Sequence, residues 1–190
     1  MFSLFRNINV ESVYYLGLKP SSAFFYELEK LKKDLKPEVG ENHLTIAFDR
    51  SIPLIGFPLL QKDERALRLR CKHKFTKLSA NVRCKLTGLF IDELTGSYGY
   101  ELEFESSIER LISGANKMLI DKFEIHNSQI MARNCRRLVL AKNLPYNLLR
   151  QVAKEHQIEA KEFIIKGVIL SRKAINAQNK FKTIEKFSLA

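Results

Sequence analysis

No apolar stretch in this sequence approaches the ~20 residues that a helix needs to cross a bilayer, so a membrane-spanning helix is excluded and no membrane partner is expected. Residues 1–6 lack the basic-then-apolar order and small-residue cleavage site of a secretory signal, and their alternation suits a short strand or an N-terminal arm. Cysteine is scarce. Cys71, Cys84 and Cys135 are odd in number and follow no metal-ligand spacing, so they read as reduced thiols in a cytoplasmic protein. The histidines at 43, 73, 126 and 156 form no zinc signature either, and neither a metal nor another cofactor is expected. No low-complexity segment or interdomain linker appears, and 190 residues suffice for one well-buried domain over 1–190.

Acidic residues are outnumbered, 21 to 32, which gives a net charge of +11. The excess is uneven: residues 132–190 carry 13 Lys/Arg against 4 Asp/Glu. A second basic cluster lies between Lys62 and Lys85, with Arg65, Arg68, Arg70, Lys72, Lys74, Lys77 and Arg83. Such asymmetry fits a polyanionic partner, RNA foremost, with Arg133, Arg136 and Lys142 as candidate contacts. It also fits a solvated basic surface with no specific ligand.

Hydrophobic periodicity predicts a strand over 13–18, stopped by Pro20. A helix follows with Phe24, Leu28, Leu31 and Leu35 inward, capped by Ser21 or Ser22 and closed by Pro37 and Gly40. Residues 42–48 read as the next strand. Residues 51–58, broken by Pro53, Gly56 and Pro58, read as a loop. The stretch 62–69 suits either a helix or an extended run, and 71–91 reads as mostly extended. A hairpin turn over 92–96 leads into a strand over 98–104. The next helix carries Ile108, Leu111, Ile112, Ala115 and Leu119 inward, with a Ser106-x-x-Glu109 capping box. A polar connection leads to a strand over 138–142, and Pro145 opens a last helix. Strands over 163–170 and 181–189 end the chain. The mixture, without a consistent βαβ period, predicts an α+β fold.

Within 42–48, alternation places His43, Thr45 and Ala47 on one face and Leu44, Ile46 and Phe48 on the other. An imidazole can move a proton near neutral pH and a neighbouring hydroxyl can hold a phosphoryl oxygen, so the pair suits phosphate chemistry. The same pattern also fits a half-buried strand with a satisfied histidine. Residues 136–141 repeat the apolar skeleton of 42–47, with Arg137 at the histidine position and Val139 at the threonine position. Each copy follows a strand, a serine pair and a helix, which suggests two related lobes. His126-Asn127-Ser128 is a further candidate pair, although Gln129 breaks the apolar reverse face behind it.

This order of parts resembles the two-histidine (2H) phosphoesterase superfamily, in particular the LigT-like RNA 2′,3′-cyclic phosphodiesterases. The likeness rests on Tyr15-Leu16-Gly17-Leu18-Lys19-Pro20, His43-Leu44-Thr45-Ile46-Ala47-Phe48, Leu138-Val139-Leu140-Ala141-Lys142-Asn143 and Val168-Ile169-Leu170-Ser171-Arg172. It implies two pseudo-symmetric lobes, each an antiparallel-rich sheet with helices on its outer face, and a groove between them. It also implies hydrolysis of a 2′,3′-cyclic phosphodiester at RNA ends or in cyclic nucleotides by two His-x-Thr/Ser motifs, without a metal. Here His43 and Thr45 carry over as the catalytic pair. Arg137 can hold phosphate but cannot titrate near neutral pH, and Val139 offers no hydroxyl. The active site is therefore expected to be degenerate. His126 and Ser128 stand as the candidate replacement pair. The expected partner is RNA or a phosphorylated nucleotide, bound by a monomer. The alternative is a non-catalytic RNA- or nucleotide-binding module, or a ribonucleoprotein subunit.

Overall fold

A computed structural model describes residues 12–45, 51–75, 82–132, 136–156, 160–174 and 181–189. The N-terminal arm, residues 46–48, Lys77, Arg133 and Cys135 lie outside these described residues. Strand β1 (Ser12–Pro20) leads into helix α1 (Ser22–Val39), then β2 (Ile52–Leu59), α2 (Glu64–Phe75) and β3 (Arg83–Asp92). The second half runs β4 (Ser97–Phe104), α3 (Ser106–Phe123), β5 (Met131–Ala132), β6 (Arg137–Ala141), α4 (Tyr146–Glu155) and β7 (Lys161–Ala174). Strand β8 (Lys182–Ser188) comes last. Between α1 and β2, Leu44 forms an isolated antiparallel bridge to Ala141. The two halves therefore share one plan: strand, helix, short edge segment, strand, helix, strand.

All pairings are antiparallel, in the order β5-β2-β1-β7-β3-β4-β6, with β8 also on β7. Strand β7 joins the lobes. Its start pairs with β3, and its remainder lies between β1 and β8. The halves exchange their edges: Leu44 borders β6 of the second half, whereas β5 borders β2 of the first. The helices cross over likewise. Phe24 of α1 packs on Phe163 of β7, Lys161 reaches Glu27, and His156 after α4 reaches Glu38. On the other lobe, Phe75 of α2 meets Phe187, and Arg68 pairs with Glu185 of β8.

Several elements depart from the periodicity. The stretch 51–58, expected as a loop, falls almost wholly in strand β2 (Ile52–Leu59). The neighbour on its outer side, β5, covers only Ile55 and Gly56, so Pro53 and Pro58 sit in an edge strand where a missing N–H is tolerated. Helix α2 runs to Phe75 and buries Leu67, Cys71 and Phe75, which turns the stretch read as extended into helix over its first part. Helix α1 continues through Pro37 and ends at Gly40, whose φ is 76°. The Ser106 capping box does not form: Glu105 is the cap residue, Ser106 is already helical, and no side chain bonds the helix start. The hairpin after β3 obeys its chemistry. Asp92 Oδ1 accepts from the backbone N–H of Leu94, and Gly96 at φ 60° lies where a Cβ would be 2.5 Å from Leu144 O.

The core runs through both lobes, from Tyr14, Leu16 and Leu18 to Tyr98, Tyr100 and Leu140. At one edge of it Glu64, at the start of α2, accepts from Tyr14 Oη (2.9 Å) and Arg172 (2.8 Å), tying that helix to β1 and β7. Burial, and secondarily the Glu64 carboxylate, push the Tyr14 phenol up to about 12.

Candidate functional site

The chain leaves α1 through a 3₁₀ turn over Glu41–His43, so His43 ends a turn and does not lie within a regular strand. Strand β6 then holds the segment on both sides of Leu44. The backbone N–H of Thr45 donates to Leu140 O (2.8 Å), and that of Lys142 donates to His43 O (2.9 Å). Leu44 packs on the core opposite Ala141. Alternation turns Thr45, which follows the bridged Leu44, to the outward face, whereas His43, in the 3₁₀ turn, is placed by its own hydrogen bond. His43 Nδ1 lies 3.0 Å from Lys142 O. A carbonyl only accepts, so Nδ1 carries the proton and Nε2 is the free lone pair of the neutral ring. The Thr45 hydroxyl donates to Val139 O at 2.6 Å, with Leu140 O at 3.1 Å.

Arg137 and Val139 share that outward face, because their neighbours on β4 are Glu101 and Gly99 whereas Leu138 and Ala141 lie opposite the buried Tyr100 and Tyr98. The Arg137 guanidinium stacks 4.5 Å over the Phe90 ring. Its charge helps, as the least of several causes led by hydrogen bonding from Thr95, to hold the Asp92 carboxyl below its usual range. Gly99 makes the close packing possible: a Cβ there would lie 2.0 Å from Leu138 O. Lys142, the strand neighbour of His43, is five residues from Arg137, about 16 Å of extended chain at 3.3 Å per residue. Arg137 on β6 and Lys142 just beyond it thus flank the strip of chain that the His43 segment borders.

His126 caps a 3₁₀ turn over Asn127–Gln129, and its Nδ1 lies 2.9 Å from Ser128 Oγ. That turn precedes β5, which stands in the second half where the His43–Thr45 segment stands in the first, each bordering an edge strand. Arg136 forms an ion pair with Glu109 of α3. Lys142 is exposed, and Arg133 lies outside the described residues. In the shared plan of the two halves, the counterpart of residues 43–45 is β5, and the counterpart of β6 is β2. The sequence repeat matched 42–47 with 136–141, but the structure places residues 43–45 directly beside β6.

No protein-family model matches the chain, and no curated protein matches it. Among solved structures, protein TT0787 of Thermus thermophilus is similar at a TM-score of 0.57, covering 93% of this chain and 97% of that one. Sequence identity is 16%, so what the two share is the fold. It is the two-lobed, LigT-like α+β fold.

On this LigT-like frame, the strip presents one imidazole and a guanidinium that does not titrate near neutral pH. His43 is oriented by a backbone carbonyl, as a general base would be. The Thr45 hydroxyl proton points into the protein, which leaves it unable to donate to a phosphoryl oxygen in this arrangement. Among the described residues no group of three or more His, Cys, Asp or Glu could hold a metal ion, and no helix is long and apolar enough to cross a membrane. Sequence reasoning missed Phe90, whose ring supports Arg137. Its apolar neighbours Leu89 and Ile91 leave no alternation to mark it, and only the pairing of β3, β4 and β6 sets it under the guanidinium.

Proposed function

We propose that this protein binds the phosphate-bearing ends of RNA, or phosphorylated nucleotides, on the His43–Arg137 strip of a LigT-like fold, with the 2H phosphodiesterase chemistry largely lost. One observation carries the reading: the hydroxyl that would grip a phosphoryl oxygen donates instead to Val139 O at 2.6 Å. Arg137 cannot exchange a proton near neutral pH, and removing one of two proton-transfer groups lowers a rate by roughly 10²–10⁴. Guanidinium and ammonium groups keep their affinity for phosphate.

A residual 2′,3′-cyclic phosphodiesterase is the second reading, favoured by the carbonyl that orients His43 with Nε2 free. An oligoribonucleotide ending in a 2′,3′-cyclic phosphate separates the two. The expected outcome is binding that weakens in Arg137→Ala, with turnover near background in the wild-type protein and in His43→Ala alike. Brisk wild-type turnover whose kcat falls at least 100-fold in His43→Ala, with affinity intact, would overturn the binding reading in favour of the enzyme. Loss of that turnover in His126→Ala would instead assign the chemistry to His126 and Ser128. Arg137→His with Val139→Thr restores the missing groups and is expected to raise turnover only if the strand geometry suits them.

A further inference from the structure

On the lobe opposite His43, helices α2 and α3 form a trough of about 400 Å³ that belongs to no part of the strip described above. Arg70 and Lys74 line it from α2, and Lys117 and Lys122 from α3. Arg70 and Lys74 are four residues apart, one helical turn with a rise of about 6 Å. Lys74 lies across the neighbouring helix: a Cβ at Gly114 would be 2.7 Å from its Nζ. Elsewhere many cations are neutralised locally, among them Arg68, Arg83, Arg136, Arg150 and Arg172, each within ion-pair distance of a glutamate. The four trough cations make no ion pair among the described residues. Asp121, the carboxylate lining the trough, makes none with them either. Gathering unpaired cations into a concavity costs mutual repulsion, which a multivalent anion relieves.

We infer that the α2–α3 trough is a docking site for the phosphate backbone of a single-stranded nucleic acid. The trough is open along two helices and is walled mostly by the aliphatic stems of these side chains, whose charged ends rim it at helical spacing, which suits a linear polyanion. A concave channel also receives one strand more readily than a broad lipid surface. Backbone recognition carries no base preference, so oligoribonucleotides and oligodeoxyribonucleotides of one sequence should bind alike here. The inference does not depend on the chemistry of His43.

The test measures binding of a labelled oligouridylate by fluorescence anisotropy as a function of salt. Neutralising one phosphate contact removes about 0.7 from the slope of log affinity against log salt for a single strand. Arg70→Gln with Lys74→Gln should lower the slope by about 1.4, Lys117→Gln with Lys122→Gln by the same amount, and all four by about 3. If the fourfold variant does not fold, as read by circular dichroism, the two double variants decide. Arg70→Lys with Lys74→Arg should keep the wild-type slope. An unchanged slope in both double variants would overturn the proposal. So would tighter binding of polyglutamate or of anionic phospholipid vesicles than of the oligonucleotide.

Discussion

Thr45→Val tests whether the Thr45 hydroxyl is a strap or a phosphate grip. The segment 43–45 is tied to β6 by the two backbone bonds at Thr45 and Lys142, by His43 Nδ1 on Lys142 O, and by the Thr45 hydroxyl on Val139 O and Leu140 O. Valine keeps the shape and removes only the last. An intramolecular hydrogen bond of this kind contributes about 1 kcal/mol net, within a range of roughly 0.5–1.5. The segment is an edge, so its loss should appear as local opening and leave the global unfolding midpoint nearly unchanged. At about 1 kcal/mol, amide hydrogen exchange at position 45 and at Lys142 should speed up about 5-fold. Exchange at Leu16 or Leu170, in the central strands, should not change. The reasoning is refuted if exchange at both edge amides stays at the wild-type rate while affinity for a phosphate-terminated oligonucleotide falls 10-fold. That result would mean that the hydroxyl turns outward to the ligand.

Three further outcomes are expected from the packing. Gly99→Ala should destabilise the protein by about 1–3 kcal/mol or more, read from the urea midpoint, because the added methyl meets the Leu138 backbone carbonyl and not a movable side chain. Gly114→Ala should stabilise α3 by up to about 1 kcal/mol in a thermal melt, since the obstruction is the flexible end of Lys74; a loss would mean that Lys74 cannot give way. Tyr14 titrates near 10 when unfolded and near 12 in the fold, so its neutral form is the one that the fold favours. Its contribution is complete below pH 10 and should be lost as pH rises from 10 to 12, by at most about 2–3 kcal/mol. Tyr14→Phe should flatten that part of the stability profile, and an unchanged slope would count against the shift.

The sequence by itself determined the fold class, the two-lobed plan and most element cores. Those arise from local periodicity: Phe24, Leu28 and Leu35 on one stripe of α1, Ile108, Leu111, Ala115 and Leu119 on α3, and the apolar run of β7. Turn chemistry at Asp92 and Gly96 was equally local. Strand β2 was hidden because Pro53 and Pro58 argue against a strand unless its far side is known to be nearly open, and that openness is a fact about β5. The site was decided by tertiary structure. His43-x-Thr45 is a legible pattern, but which way a hydroxyl donates depends on the carbonyls opposite it, and those belong to residues 94 and 95 positions further along the chain. The likeness of 42–47 to 136–141 suggested two facing copies of one motif. The exchange of edges between the halves makes residues 43–45 and β6 neighbours instead, because each short segment finds its hydrogen-bond partners on the other half's open strand.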